Sequence, residues 1–121
     1  MFTVTVSQVG NVAILHCKGR LVRSDAAFAL RDMVVAQMAK DAIVLDLAEV
    51  DAIEGGGVGM LVFLKRWCED NGINLTAFNP SPTVLEKMDR IRQAGGLPIA
   101  SEGEILKQIT REHLLQQCLA A

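Results

Sequence analysis

Ile53-Glu54-Gly55-Gly56-Gly57-Val58-Gly59-Met60-Leu61 joins an apolar, strand-like run to an apolar, helix-like run through three consecutive glycines. Glycine has no Cβ, so the chain can turn tightly there and bring bare backbone to the surface at a helix start. Unpaired amide N–H groups at such a start can face an anion or a partner's backbone. Gly55, Gly56 and Gly57 carry no hydroxyl, thiol, imidazole or amine. Any role of this turn must rest on shape, amide donors and the flanking Glu54, which favours binding over catalysis.

Upstream, Ala42-Ile43-Val44-Leu45-Asp46-Leu47 is apolar on both faces apart from Asp46 and reads as a central strand. Thr3 to Ser7 and Val12 to Lys18 alternate polar with apolar residues around Gln8-Val9-Gly10-Asn11, which predicts a hairpin. Between hairpin and central strand, Ala27, Leu30, Val34 and Met38 keep helical spacing, with Phe28 and Val35 widening the stripe. Ser24 is placed to cap that helix, which ends near Lys40.

Downstream, Val58 to Asp70 predicts a helix stopped by Asn71-Gly72, and Ile73 to Phe78 a further strand. Ser81 and Pro82 suit the cap and first position of a third helix reaching about Ala94 before Gly95-Gly96. Leu97 to Ala100 forms a last short strand, and Ser101 with Glu104 makes a capping box for a final helix. The order ββαβαβαβα implies an α/β fold with a mixed sheet and right-handed crossovers.

The chain has 121 residues, of which 50% are hydrophobic and 21% charged, enough for one core and one domain spanning 1–121. A formal net charge of −2 with scattered Lys and Arg argues against a nucleic-acid partner. No apolar run approaches a bilayer span, and Met1 to Val6 lacks the pattern of a signal peptide, so a cytoplasmic, not membrane-inserted, protein is expected. Cys17, Cys68 and Cys118 form an odd, widely spaced set that reads as free thiols.

The pieces Gly19-Arg20-Leu21, Ile43 to Leu47, Val50-Asp51-Ala52-Ile53, Gly57-Val58-Gly59-Met60-Leu61, Gly72 and Asn79-Pro80-Ser81-Pro82, in this order and spacing, resemble the STAS domain. That is the fold of bacterial anti-sigma factor antagonists and of the cytoplasmic ends of sulfate transporters. The resemblance covers nearly the whole chain. In the antagonists the turn reads Asp-Ser-Ser-Gly or Asp-Ser-Thr-Gly, and a partner kinase that doubles as anti-sigma factor phosphorylates the second hydroxyl. Carried over, Glu54 takes the Asp place, Gly55 the first Ser, Gly56 the phosphoacceptor and Gly57 the last Gly. The resemblance thus implies a degenerate phosphorylation position at Gly56, where no phosphate can add its charge of about −1.5 to −2.

Two roles follow from that resemblance: a constitutive binder of an anti-sigma factor kinase or another protein, or a fixed subunit of a stressosome or a lipid-transporting ABC system. A permanent charge from Glu54 standing in for phosphate is the weaker reading, since a carboxylate is normal at that position. A small-ligand or nucleotide module at the glycine turn is the rival of a different class. The expected partner-binding set is Glu54, Gly55, Gly56, Gly57, Val58, Met60 and Trp67, with self-association into a homo-oligomer left open.

Bland readings compete at every position. A phosphate loop adds Lys and Ser or Thr behind its glycines, whereas Val58 and Gly59 follow here, so the run reads first as a tight turn. Asp46, Glu49, Asp51 and Glu54 fit no calcium loop and read as a solvated acidic rim beside the turn that would steer a basic partner. Val58, Leu61 and Val62 form one stripe and Met60, Phe63, Leu64 and Trp67 another. The second is open between core and partner surface, with Leu64 and Phe63 expected inside and Met60 and Trp67 nearer the surface. Lys65 and Arg66 could pair with an acidic partner or simply be solvated. His16 and His113 show no metal-ligand spacing and no nucleophile beside them, so no catalytic group, metal or cofactor is expected.

Overall fold

In the computed structural model the backbone is described for residues 1–93 and 97–120, and side chains outside 90–96 and 116–121. The elements run β1 (Thr3–Val9), β2 (Val12–Leu21), α1 (Ser24–Val35), β3 (Ala42–Ile53), α2 (Gly56–Asp70), β4 (Asn74–Phe78), α3 (Pro82–Gln93), β5 (Ile99–Ala100) and α4 (Glu102–Ala120). The expected order holds, although β3 is longer than anticipated and runs on to Ile53. One five-stranded sheet has the order β1-β2-β3-β4-β5. β1 is antiparallel to β2, and every other neighbouring pair is parallel.

That order explains the layers. Because each crossover moves to the next strand in the same direction, a constant right hand places α1, α2 and α3 on one face of the sheet. There Leu15, Ile43, Leu45, Leu47, Leu75 and Ala77 meet Leu30 and Val34 of α1, Leu61 and Leu64 of α2, and Val84 and Met88 of α3. The opposite face is left to α4. Its Ile105 and Ile109 pack on Val12, Ile14, Ala42 and Val44, so β3 is apolar on both faces at its start and turns polar at Asp46. Among the described residues no helix is long and apolar enough to cross a membrane.

Local chemistry sets the element ends. Gly10 takes a positive φ of 57° in the hairpin turn and Gly72 one of 70° after α2. Ser81 Oγ accepts from the Val84 N–H at 3.3 Å, and Ser101 and Glu104 form the expected capping box, Glu104 N–H donating to Ser101 Oγ at 3.2 Å. Ser24 does not cap α1. The cap position falls on Arg23 with no side-chain hydrogen bond, because Ser24 already lies inside the helix. The helix ends at Val35, short of Lys40, and buries Ala26, Ala27, Leu30 and Val34, leaving Phe28, Val35 and Met38 exposed. Phe28 instead lies under the Arg31 guanidinium, 4.7 Å from ring centre to Cζ. Gly95-Gly96 lies outside the described residues.

Cys17 and Cys68 are both free and buried in the main core. Burial, with the Asp46 charge adding to it, pushes the Cys17 thiol from 9.0 up to about 12. Burial alone pushes Cys68 up to about 11. The folded state therefore holds both protons more tightly than the unfolded chain does. This contribution to stability is complete below pH 9 and is lost as pH rises through the folded values. Iodoacetamide at pH 8 should leave Cys17 and Cys68 unlabelled in the folded protein and label both in urea, and Cys17→Ala should flatten the fall in stability above pH 9.

The glycines before and within α2 differ in kind. A Cβ on Gly57 would collide with the carbonyl oxygen of Leu21 and stand 2.9 Å from Leu21 Cγ. On Gly59 it would meet open space. Gly57→Val should accordingly destabilise the protein by about 1 to 3 kcal/mol in urea unfolding. Gly59→Ala should be neutral or stabilise it by about 0.5 to 1 kcal/mol through helix propensity.

Candidate functional site

The turn between β3 and α2 is built from backbone alone. β3 is held to the end of β2 by the Glu54 N–H, which donates to the Leu21 carbonyl at 3.3 Å. Gly55 follows at φ 51° and ψ −114°, a conformation in which a Cβ is strained, and no side chain caps the helix after it. Gly57 N–H donates to the Glu54 carbonyl at 2.9 Å and Gly59 N–H to that of Gly55 at 3.1 Å. Of the two properties anticipated for Gly57, the structure shows the close approach, while the positive φ belongs to Gly55.

The turn thus splits into an inner and an outer side. Gly57 is buried with Leu61, Leu64 and Cys68 as the inward face of α2. Gly55, Gly56 and Gly59 are exposed, and a Cβ on Gly56 would have only the Val22 carbonyl, 3.9 Å away, for company. The same outer side continues into Val62 and Phe63, whose exposures are 38% and 50%. The anticipated burial of Phe63 is therefore wrong. The inward stripe takes Leu61 from one apolar row and Leu64 from the other, because a helix resting on a sheet can bury only a single arc. Val58, Met60 and Trp67 are half-buried against the main core, so Trp67 and Met60 serve packing as well as any surface.

Charge at the turn is sparse. Glu54 is exposed and lies 3.9 Å from Lys87 of α3, a solvent-screened pair worth little. Of the four carboxylates expected as a rim, Glu49, Asp51 and Glu54 are exposed, whereas Asp46 is half-buried and held by His16. β3 extends through Asp46, Glu49 and Asp51, and the five steps from Asp46 to Asp51 span roughly 17 Å, so the carboxylates are strung out rather than gathered. Glu49 lies 3.9 Å from Lys18, and Asp46 is turned to the sheet surface. Among the described residues no group of three His, Cys, Asp or Glu is arranged to hold a metal.

Sequence reasoning missed one constellation. On the sheet face beyond the reach of α4, His16 Nδ1 lies 3.0 Å from Asp46 Oδ2 and Nε2 lies 3.2 Å from Ser7 Oγ. The Ala48 N–H donates to the other Asp46 oxygen at 3.1 Å. A carboxylate only accepts, so the ring donates from Nδ1, and neutral His16 accepts the Ser7 hydroxyl at Nε2. The connectivity is that of a Ser-His-Asp relay, but its members stand on the flat surface of three paired strands. Among the described residues no helix start or glycine loop stands there to hold an oxyanion, and the array reads as a tie across β1, β2 and β3. Only strand register could have revealed it: Thr5 pairs with His16 and His16 with Asp46.

Comparison with known proteins agrees with this architecture. The structure of the anti-sigma factor antagonist SpoIIAA in its unphosphorylated form superposes with a TM-score of 0.71 at 19% identity, covering 89% of this chain and 96% of SpoIIAA. An anti-sigma factor antagonist from Mycobacterium paratuberculosis gives 0.70 at 18% identity, with coverage of 91% and 95%. The murine anion transporter Slc26a9 gives 0.62 at 15% identity, matching 90% of this chain but 18% of the transporter. At these identities the likeness is one of fold. No match was found among curated proteins. The family model of the STAS domain matches residues 3–101, and the chain belongs to that family.

Proposed function

We propose that this STAS domain is a non-catalytic protein-binding module whose contact surface is the outer side of the β3–α2 turn. The carrying observation is the continuity of bare backbone at Gly55, Gly56 and Gly59 with the exposed apolar Val62 and Phe63. Glycines let a partner's backbone approach closely, and the two apolar side chains beside them supply area that a partner can bury. Glu54, Val58, Met60 and Trp67 border this strip, Met60 and Trp67 holding it against the core from below.

In anti-sigma antagonists of this fold a hydroxyl at the place of Gly56 receives phosphate. Gly56 offers none, so the module binds without that switch, and a kinase of the anti-sigma type is a partner rather than a modifier. A role as fixed subunit of a larger assembly uses the same surface. Neither reading needs a cofactor, a metal or a catalytic side chain, and a cytoplasmic setting suits both.

Incubation with a cognate kinase-type anti-sigma protein and ATP should leave residues 53–61 without phosphate by mass spectrometry, and phosphate found there would overturn the assignment of Gly56. Gly56→Ser should fold normally, since a Cβ there meets only the Val22 carbonyl at an ordinary contact distance of 3.9 Å. Phe63→Asp should weaken partner association by about 2 kcal/mol or more in calorimetry while leaving urea unfolding within about 0.5 kcal/mol. Trp67→Ala, half-buried against the core, should lower folding stability by about 1 to 3 kcal/mol. A Phe63 variant with full affinity would move the interface elsewhere.

A further inference from the structure

We propose that the cleft between the start of β1, the end of β2 and the first turns of α1 binds a small organic anion, a carboxylate or phosphate head on an apolar body. The cleft has a volume of about 760 Å³, and its lining includes Arg20, Arg23 and Asp25 together with Phe2, Val22 and Ala29. That volume lies within the range of small-molecule sites, roughly 300 to 1,000 Å³, and exceeds what a bare inorganic anion fills.

The charge of the cleft follows from strand register. Lys18 stands opposite Glu49 across the β2–β3 ladder and approaches it, but a register shift after Gly19 sets Arg20 opposite Ala52. Arg20 is thereby deprived of a cross-strand carboxylate. Arg23 sits at the cap position of α1, with Asp25 as the one acidic residue of the first turn. No carboxylate lies within 4.0 Å of either guanidinium among the described residues, so neither is committed to an internal ion pair. Two planar guanidiniums against one carboxylate leave a net positive cleft suited to paired hydrogen bonds with carboxylate or phosphate oxygens. Phe2, Val22 and Ala29 give the rest of a ligand an apolar wall.

This site is separate from the strip that runs from Gly55 to Phe63, although the two adjoin. Val22, which lines the cleft, presents its carbonyl 3.9 Å from the place of a Gly56 Cβ.

The test is a titration of the ¹⁵N-labelled full chain, followed by NMR, with octanoate, monooctyl phosphate, 1-octanol and inorganic phosphate. Octanoate or monooctyl phosphate should shift the amides of Phe2 and of residues 20–29 saturably, and the tighter of the two identifies the head group. Octanol and inorganic phosphate should bind at least about tenfold more weakly, since each lacks one half of the ligand. The double variant Arg20→Gln/Arg23→Gln should lose about tenfold or more in affinity with an unchanged melting temperature. Ala29→Leu, which keeps both cations and narrows the cleft, should weaken binding as well. No saturable shift with either amphiphile, octanol binding as tightly as octanoate, shifts confined to the exposed Leu106 and Leu114 of α4, or full affinity in the double arginine variant would each overturn the proposal.

Discussion

The carbonyl of Leu21 is the point on which the arrangement turns. It ends β2, accepts the Glu54 N–H that ends β3, and lies so close to Gly57 that no Cβ fits between them. Two parallel strands and the first turn of α2 are thereby brought to one place. A helix seated this tightly must present its Gly57, Leu61, Leu64 and Cys68 arc to the sheet, and its other faces are then determined by the 100° step of the helix. The exposure of Gly56, Gly59, Val62 and Phe63 is a consequence of that seating. The same contact explains why one glycine of the triplet is buried while its neighbours are open.

The second organising constraint is the difference between the two sheet faces. Three crossover helices pack on one face, and on the other α4 covers the beginnings of β2 and β3 together with Phe78 of β4 and Ala100 of β5. β3 records this along its length, with Ile43, Leu45 and Leu47 pointing into the core while Ala42, Val44 and Asp46 pass from the cover of α4 to water. Where cover ends, polar residues tie to one another, as Ser7, His16 and Asp46 do. Cys17, on the inner side next to His16, illustrates the opposite environment: its thiol is held protonated by burial.

The binding role proposed for this domain draws on surfaces rather than on reactive groups. The end of the sheet that carries the β3–α2 turn also carries the start of α1, so the apolar Val62 and Phe63 and the cationic Arg20 and Arg23 belong to the same end. The charged residues along β3 contribute less than their number suggests, because extension of the strand separates them.

Much of this was legible in the chain itself. Periodicity and turn chemistry determine the ββαβαβαβα order, the hairpin at Gly10-Asn11, the stop at Gly72, the caps at Ser81 and Ser101, and the glycine turn, because each depends on residues within a few positions of one another. Two apolar rows on α2 were visible too, but which one faced inward was not, since the rotation of a helix on a sheet is decided by a contact with Leu21, remote in sequence. Phe63 was misplaced for that reason, while Phe28 of α1 and Met38, which lies past the end of α1, are exposed as well. Register between strands is likewise a tertiary property. It brings Asp46 to His16 and sets Arg20 opposite Ala52, and neither pairing leaves any mark in local sequence. Sequence alone determined the elements and the bare backbone of the turn; packing across the sheet decided which side chains were left free to meet another molecule.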